Sequence, residues 1–459
     1  MSQRYRKNIL VLNNQVLEGK NMLNFGTSPK NRLYTNLNSY FLFLGYILGG
    51  QSKQDRKDIE LFEQALCERF ATKHAICVYQ CRMGIYLAVK ALIKPGQEVI
   101  LSPYTIADVI NMVIFAGGRP VFADVDRQTC NISPTEVERL INPNTGAVLI
   151  THLHGIAAEA HQIKKICDRF HIPMIEDCAQ SFGAYEQGKA VGTIGDVGVF
   201  SFEMHKNLTT WLGGAVISNR TDLVEKIRAE LESFSYPPLP GIKRKVKSGL
   251  IQDIASFPVI FQLFTYPLLR FSYLKDIEVV NEKVRRKPQE SQPAEHLPDV
   301  YKSLYTPFQA RLGLSRLKYI NHDIKKRIDN ALLYYEGLKD IDELILPPLR
   351  TDGSHTYLWF PVQYSRRDDL LRFMFTHHRD IAAGHFTSTA DSPRYQEFYR
   401  DCPNSKKVEQ ELFYLPTYPR YPRQEIEKNI QVIRQYFRQI SSVSKPKDIL
   451  TSTLTMSNT

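Results

Sequence analysis

The chain has 459 residues, 43% of them hydrophobic, enough to bury a large core divided between two domains. Its 59 basic against 48 acidic residues give a net charge of +11, which favours anionic partners: nucleic acid, phosphorylated metabolites and anionic membrane surfaces stay open at this level. Seven scattered cysteines, odd in number and without a C-x-x-C pair, point away from a disulfide framework and from a zinc site, so no metal is expected and a reducing cytoplasm fits.

Arg4, Arg6 and Lys7 precede Ile9-Leu10-Val11-Leu12, but that apolar run is too short for the core of a secretory signal. A second apolar run, 40–48, falls short of the roughly 20 residues needed to span a bilayer and reads as a packed N-terminal helix or a surface anchor. From Asp58 the apolar spacing at 59, 62, 65 and 66 predicts a helix. A strand over 75–78, a polar turn at Gln80-Cys81-Arg82 and a helix over 83–92 come next. Lys94-Pro95-Gly96-Gln97 turns into a strand at 98–101; a helix over 107–115 and a strand over 120–123 follow. Ser133-Pro134-Thr135-Glu136 offers a Ser cap, Pro at the first helical position and Glu at the third. A strand over 147–150, a helix over 161–170 and the stretch 173–219 complete an alternation that predicts an α/β fold with a mostly parallel, helix-covered sheet.

Stretch 173–219 holds the chemistry. Asp177 follows the apolar pair Met174-Ile175, Lys206 follows the run 197–202, and Gly213-Gly214 opens a third apolar run. Polar groups at the C-terminal ends of buried strands are where open α/β sheets place ligands. A lysine beside a buried carboxylate in a glycine-lined pocket suits Schiff-base chemistry on pyridoxal phosphate (PLP). The amine attacks an aldehyde, and the anion keeps the pyridine nitrogen protonated so that the ring accepts electrons. Lys206 and Asp177 fit those roles, Gln180 could donate to the phenolic oxygen, and Ser201 could reach the phosphate. Singly each has a plainer reading: a solvated lysine, an Asp that caps a helix, glycines that only turn the chain. Gly192, Gly195 and Gly198 do not form a dinucleotide fingerprint.

In combination and in order, Glu176-Asp177-Cys178-Ala179-Gln180, Gly192-Thr193-Ile194-Gly195-Asp196, Phe200-Ser201-Phe202, Lys206-Asn207-Leu208 and Gly213-Gly214-Ala215 resemble the DegT/StrS-type sugar aminotransferases. The resemblance begins near Asp55, runs through 94–99, 118–126 and His152-Leu153-His154-Gly155, and resumes at Gln309-Ala310-Arg311-Leu312-Gly313 and at Leu415-Pro416-Thr417-Tyr418-Pro419. It implies a PLP enzyme of fold type I, with a large PLP-binding domain and a smaller α+β C-terminal domain, working as a homodimer with shared active sites. It also implies transfer of an amino group from glutamate to a keto-sugar on a nucleotide or lipid diphosphate, in surface-polysaccharide or antibiotic-type biosynthesis. By position, Lys206 would hold PLP as an internal aldimine, Asp177 would pair with the ring nitrogen, Gln180 would contact the phenolic oxygen and Ser201 would bind phosphate. Some relatives carry His in place of the lysine and dehydrate their substrate; Lys206, with His205 as its neighbour, argues against that here. A nucleic-acid partner is not implied. The alternative from another class is a catalytically idle relative acting as a membrane-associated binding protein.

Three positions depart from the family pattern. Cys81-Arg82 stands where a Gly-Thr or Gly-Ser pair binds phosphate, and the Arg82 guanidinium has both a phosphate-binding and a structural reading. Ile106 stands where an aromatic ring stacks on the cofactor, with Tyr104 as the other candidate. Lys302 and Leu304 stand where an Asn and an Arg precede the Gln-Ala motif, and Lys302 has a reading as a contact to the partner subunit's phosphate.

The expected organisation is an N-terminal segment (1–50), the large domain (51–232), a basic and apolar insertion (233–300), the small domain (301–440) and a disordered tail (441–459). The insertion carries the basic run 243–247 and the uncharged stretch 254–269, followed by Arg270 and later by Arg285-Arg286-Lys287. Two readings stay open: an element that connects the domains or closes over substrate, and peripheral contact of 243–270 with the inner face of the membrane. In the small domain a strand over 356–362, a helix over 368–377 and a loop over 379–386 are expected, with His385 either structural or lining the substrate pocket.

Overall fold

Seven strands build the central sheet: β1 (His74–Val78), β2 (Glu98–Leu101), β3 (Arg119–Phe122), β4 (Thr145–Thr151), β5 (Met174–Asp177), β6 (Val197–Ser201) and β7 (Gly214–Ser218). Their spatial order is β1-β7-β6-β5-β4-β2-β3. Strand β7 runs antiparallel to β1 and β6, and every other pairing is parallel, as the sequence alternation predicts. The computed structural model describes residues 26–33, 35, 37–49, 56–277, 296–384 and 386–444; the expectations for 4–12, for Arg285-Arg286-Lys287, for His385 and for the tail beyond Ser444 fall outside these.

The strands read as continuous apolar runs because both faces of the sheet are covered. Val99, Leu101, Ala147, Leu149, Val197 and Val199 face the helices Cys81–Leu92, Ala107–Phe115 and Thr221–Leu231. Their alternates Ile100, Val148, Ile150 and Met174 face Pro134–Leu140 and Ala160–Arg169. Beyond the large domain, a three-stranded antiparallel sheet of Phe360–Gln363, Leu412–Leu415 and Ala382–Ala383 packs with Ile320–Leu338, Arg367–Thr376 and Arg423–Ser444 around Tyr334, Phe360, Phe375, Phe413 and Ile433. This is the expected smaller α+β unit.

Several local expectations are corrected. The helix expected from Met83 begins at Cys81, so the supposed polar turn supplies its first residues. Ser133 stands at the cap of Pro134–Leu140, but its hydroxyl bonds the Thr135 hydroxyl (2.8 Å) rather than the helix backbone. The strand expected from Thr356 begins only at Phe360, because the Thr356 and Tyr357 N–H groups both donate to the Gly155 carbonyl (2.7 and 3.3 Å). The last helix runs on to Ser444, past the boundary expected at Ser441. The described part of the insertion is largely helical: Leu239–Ala255 is followed by a second helical run, Pro258–Leu274, bent from the first by 68° and containing a π-helical turn at Phe261–Thr265. No single helix among the described residues is long and apolar enough to cross a membrane.

Candidate active site

Because β7 runs against its neighbours, its first residue lies at the edge where the other strands end. Gly214 is opposite Ser201, the last residue of β6, and opposite Val78, the last of β1. Asp177, the last residue of β5, lies on the same edge and pairs with Val199. The chain leaving β1 turns at Gln80 into the helix Cys81–Leu92, so that helix presents its N-terminus to this edge. A Cβ on Gly214 would lie 2.9 Å from Cys81 Cα and 3.0 Å from Cys81 N, so only glycine lets β7 meet the helix start this closely. A helix N-terminus offers free N–H groups and a partial positive charge, the ordinary means of holding phosphate.

Asp177 is buried, and its Oδ1 accepts the Ala179 N–H (2.9 Å). Burial pushes its carboxyl above the usual carboxylate range, against the Ala179 N–H and the charges of Lys206 and His152, which pull it down. Such a group gains its charged form fully when a cation is set against it. The strand under it is fixed from behind. Fully buried Glu176 accepts the Gly192 N–H (2.9 Å), the Ile194 N–H (2.7 Å), the Gly195 N–H (2.6 Å) and a bond from His152 Nε2 (3.1 Å), whose Nδ1 takes the Ala158 N–H (2.9 Å). That network explains why Glu176 and the 192–196 glycines occur together. It engages the side chains of His152 and Glu176, whose ligand atoms lie within 4.8 Å of one another and of the Cys178 sulfur. A Cβ on Gly198 would come within 2.2 Å of the Gly192 carbonyl oxygen, so these glycines serve the packing of loop on strand.

Lys206 stands in a loop pinned at its neck. Phe202 N–H donates to the Gly213 carbonyl (2.8 Å), Thr210 N–H to the Phe202 carbonyl (2.8 Å), and Lys206 N–H to the Glu203 carbonyl (3.2 Å). Asn207 is buried beside it, its amide donating to the Phe182 carbonyl and to Thr356 Oγ1 (3.2 Å each). The charge of Lys206 is among the influences that pull Asp177, Cys81 and Glu203 downward. His205 turns the other way, its Nε2 2.9 Å from Gln252 Oε1 of the inserted helix.

Of the other predicted residues, the buried Gln180 uses its Oε1 to accept the His154 N–H (2.7 Å), which leaves its NH₂ end as the donor it can offer. Ser201 is buried at the end of β6. Cys81 begins the helix, and burial holds its thiol protonated, far above its ordinary range. Arg82 has other partners than a phosphate: Asp108 Oδ2 at 2.7 Å and the Tyr301 hydroxyl at 2.9 Å, with the guanidinium over the Tyr301 ring. It therefore staples the start of Cys81–Leu92 to the start of Ala107–Phe115, and two helix N-termini stand side by side. Ile106 caps the second of these and is 43% exposed. Tyr104 is enclosed by His154, Phe386 and Tyr414, its hydroxyl 3.3 Å from that of Tyr414. Its ring packs edge-on against Phe386 and at a tilt against His154, whereas Ile106 stays part-exposed. Lys302 pairs with its neighbour Asp299 (3.1 Å) and is solvent-exposed.

Sequence reasoning passed over His154 except as part of a motif. It has a positive φ of 60°, is fully buried, and neither ring nitrogen has a hydrogen-bond partner among the described residues. Burial alone holds its pKa down to about 3. Between that value and the ordinary histidine range near 6.5, the unfolded chain binds a proton that the folded chain does not. The stability this group confers is complete above about pH 6.5 and is lost as the pH falls toward 3. On going from about pH 7 to about pH 4.5, the wild type is expected to lose about 1–3 kcal/mol more stability than His154→Phe. Thermal unfolding of both across that range is the measurement, and parallel curves would remove His154 from the account.

The donor set fits PLP in kind: a buried carboxyl for a ring nitrogen, an amine for an aldehyde, an amide for a phenolic oxygen, and a helix N-terminus with Ser201 for phosphate. Fold and site together define a fold-type-I aminotransferase scaffold. The model of the DegT/DnrJ/EryC1/StrS aminotransferase family matches residues 46–248 and 281–434, and the chain belongs to this family of PLP-dependent aminotransferases. Among its relatives, the spore coat polysaccharide biosynthesis protein SpsC of Bacillus subtilis (strain 168) is 27% identical over 388 residues, covering 82% of this chain and 88% of that protein. GDP-perosamine synthase of Vibrio cholerae is 37% identical over 171 residues, 37% of this chain and 47% of that one. The solved structure of an aminotransferase from Psychrobacter cryohalolentis superposes with a TM-score of 0.70 at 22% identity, covering 90% of this chain and 100% of that one, and shows the same fold.

Proposed function

We propose that this chain transfers an amino group from glutamate to the keto carbon of a sugar carried on a nucleotide or lipid diphosphate. On this reading it works on the cytoplasmic side as a homodimer whose subunits share their active sites. The observation that carries the proposal is the buried carboxyl of Asp177 at the sheet edge from which the Lys206 loop leaves and returns, at Phe202 and Gly213, beside the start of the helix Cys81–Leu92. The relatives' names add polysaccharide biosynthesis and a GDP-linked sugar, and the net charge of +11 suits a diphosphate.

When bound, PLP supplies an electrophilic carbon for amine exchange and a ring that takes up an electron pair. Asp177 would hold the ring nitrogen in its protonated form, Gln180 Nε2 would donate to the phenolic oxygen, and Ser201 with the first N–H groups of Cys81–Leu92 would bind phosphate. Lys206 Nζ would be the base that takes the proton from the donor's amine-bearing carbon in the first half of the exchange and, in the second half, delivers one to the former keto carbon of the sugar. Arg82 acts by position, holding the two helix starts together through Asp108 and Tyr301. Because His205 is turned to Gln252 while Lys206 acts on Asp177, transamination is favoured over the dehydration that a histidine in the lysine's place would support. An idle relative is not favoured, since both working groups of the site are present.

The test is incubation of the PLP-loaded enzyme with glutamate and a panel of keto-sugar nucleotides. 2-Oxoglutarate is expected together with a product carrying an amine in place of the ketone, read by mass spectrometry. A loaded protein whose absorption ignores glutamate, and which forms no 2-oxoglutarate with any keto-sugar, would sink the proposal.

A further inference from the structure

We infer that the helix Leu37–Gly49 and the bent helical run 239–274 form one surface that docks in the headgroup region of an anionic bilayer. Nothing in the aminotransferase reading requires this surface. The family match begins at 46 and passes over 249–280, so most of both elements lies outside the shared enzyme.

The first helix carries no charged residue. It buries Phe43 and Tyr46 against Trp211 and Phe308, while Leu37, Phe41, Leu44 and Leu48 are between 49% and 77% exposed. That spacing, 37, 41, 44 and 48, is one face of a helix turned to solvent. The helix Leu239–Ala255 packs beside it. Ile242, Val246 and Gly249 face inward, and Leu250, Ile251 and Ile254 emerge on the opposite side. Past the bend, Phe257, Val259, Leu263, Phe264, Leu268 and Phe271 are all more than half exposed. Apolar exposure on this scale marks an interaction surface rather than scattered surface residues.

Charge selects the occupant. The acid within this surface, Asp253, is turned inward, where it accepts bonds from the Tyr40 hydroxyl (2.6 Å) and the Thr35 hydroxyl. Arg270 is turned inward as well, donating to the Phe375 carbonyl (2.8 Å). The acid at the far end, Asp276, is paired with Arg372 (3.4 Å). Lys243, Arg244, Lys247 and Lys275 stay exposed around the apolar centre. A symmetric contact with a second copy through this face would set those cations against themselves. Anionic headgroups meet them, and the apolar side chains then reach the acyl boundary, the arrangement of an in-plane amphipathic anchor. The 68° bend argues against a straight span. Docking would also orient the active site, because the inward side of Leu239–Ala255 holds the lysine loop: Lys245 pairs with Glu203 (2.8 Å) and Gln252 meets His205.

The experiment is flotation of the full-length protein with vesicles of phosphatidylcholine plus phosphatidylglycerol, against phosphatidylcholine alone. The wild type is expected to float with the anionic vesicles, and less so at high salt. Phe264→Glu/Leu268→Glu and, separately, Phe41→Glu should each lose at least about tenfold in partitioning while unfolding at the wild-type temperature. Lys243→Ala/Arg244→Ala/Lys247→Ala should lose roughly fivefold per cation on the anionic vesicles. A wild type that stays with the lipid-free fraction, or apolar-face variants that float as it does, overturns the inference. Sedimentation velocity covers the other occupant: a change of oligomeric state in Phe264→Glu/Leu268→Glu, with no flotation of the wild type, would make this face a contact between copies.

Discussion

Lys206→Ala is expected to lower amino transfer by ~10³-fold or more and to abolish the glutamate-sensitive visible absorption of the loaded enzyme. The size follows from the number of roles that converge on one amine. It would hold the cofactor, and it would be the base that moves protons at the donor carbon and at the sugar carbon. The fold has little stake in it, since the loop 202–213 is closed by backbone bonds at Phe202, Thr210 and Gly213, and the buried neighbour Asn207 anchors it from the other side. The variant should therefore unfold within about 1 kcal/mol of the wild type. One electrostatic consequence is specific to the site: with the Lys206 charge removed, the Asp177 carboxyl moves further upward, because that charge is among the influences pulling it down. An Ala variant that keeps more than about a tenth of the activity would remove Lys206 from the chemistry and reopen the role of its neighbour His205.

What was legible in the sequence was what strand periodicity and local order encode. Asp177 and Lys206 were found because each follows an apolar run that the sheet buries, and the sheet then brings their strand ends together. The antiparallel β7 was not legible, although it decides that Gly214 meets the helix start; a five-residue apolar strand looks the same in either direction. The start of Cys81–Leu92 was misplaced because Gln80-Cys81-Arg82 reads as polar punctuation, whereas Arg82 is held in the first turn by Asp108 and Tyr301, the latter 219 residues away. No local pattern announces such a partner. His154 was invisible for a related reason: a histidine's burial among Tyr104, Phe386 and Tyr414 is a tertiary fact. In the insertion, Pro258 opens its helical run, where the missing N–H costs nothing, and Pro267 follows the π-helical turn Phe261–Thr265.

Asp177→Asn separates chemistry from cofactor retention, which Lys206→Ala cannot do. Asn has the shape of Asp, and its side-chain oxygen can still accept the Ala179 N–H that the Oδ1 of Asp177 accepts at 2.9 Å. The supporting frame belongs to Glu176, whose bonds to Gly192, Ile194 and Gly195 do not involve residue 177. Burial already pushes the Asp177 carboxyl upward, so a neutral amide there should cost little stability and could add some. What the substitution removes is the negative charge that would keep a ring nitrogen protonated, and without it the ring is a poorer acceptor of the electron pair. The expected result is a fall in kcat of ~10²–10³-fold, with visible absorption retained because Lys206 is intact. If Asp177→Asn turned over within a factor of about two of the wild type, the electron-accepting role would have to come from elsewhere in the site. If absorption and activity vanished together, Asp177 would instead be acting in cofactor retention, and joint measurement of absorption and kcat distinguishes these outcomes.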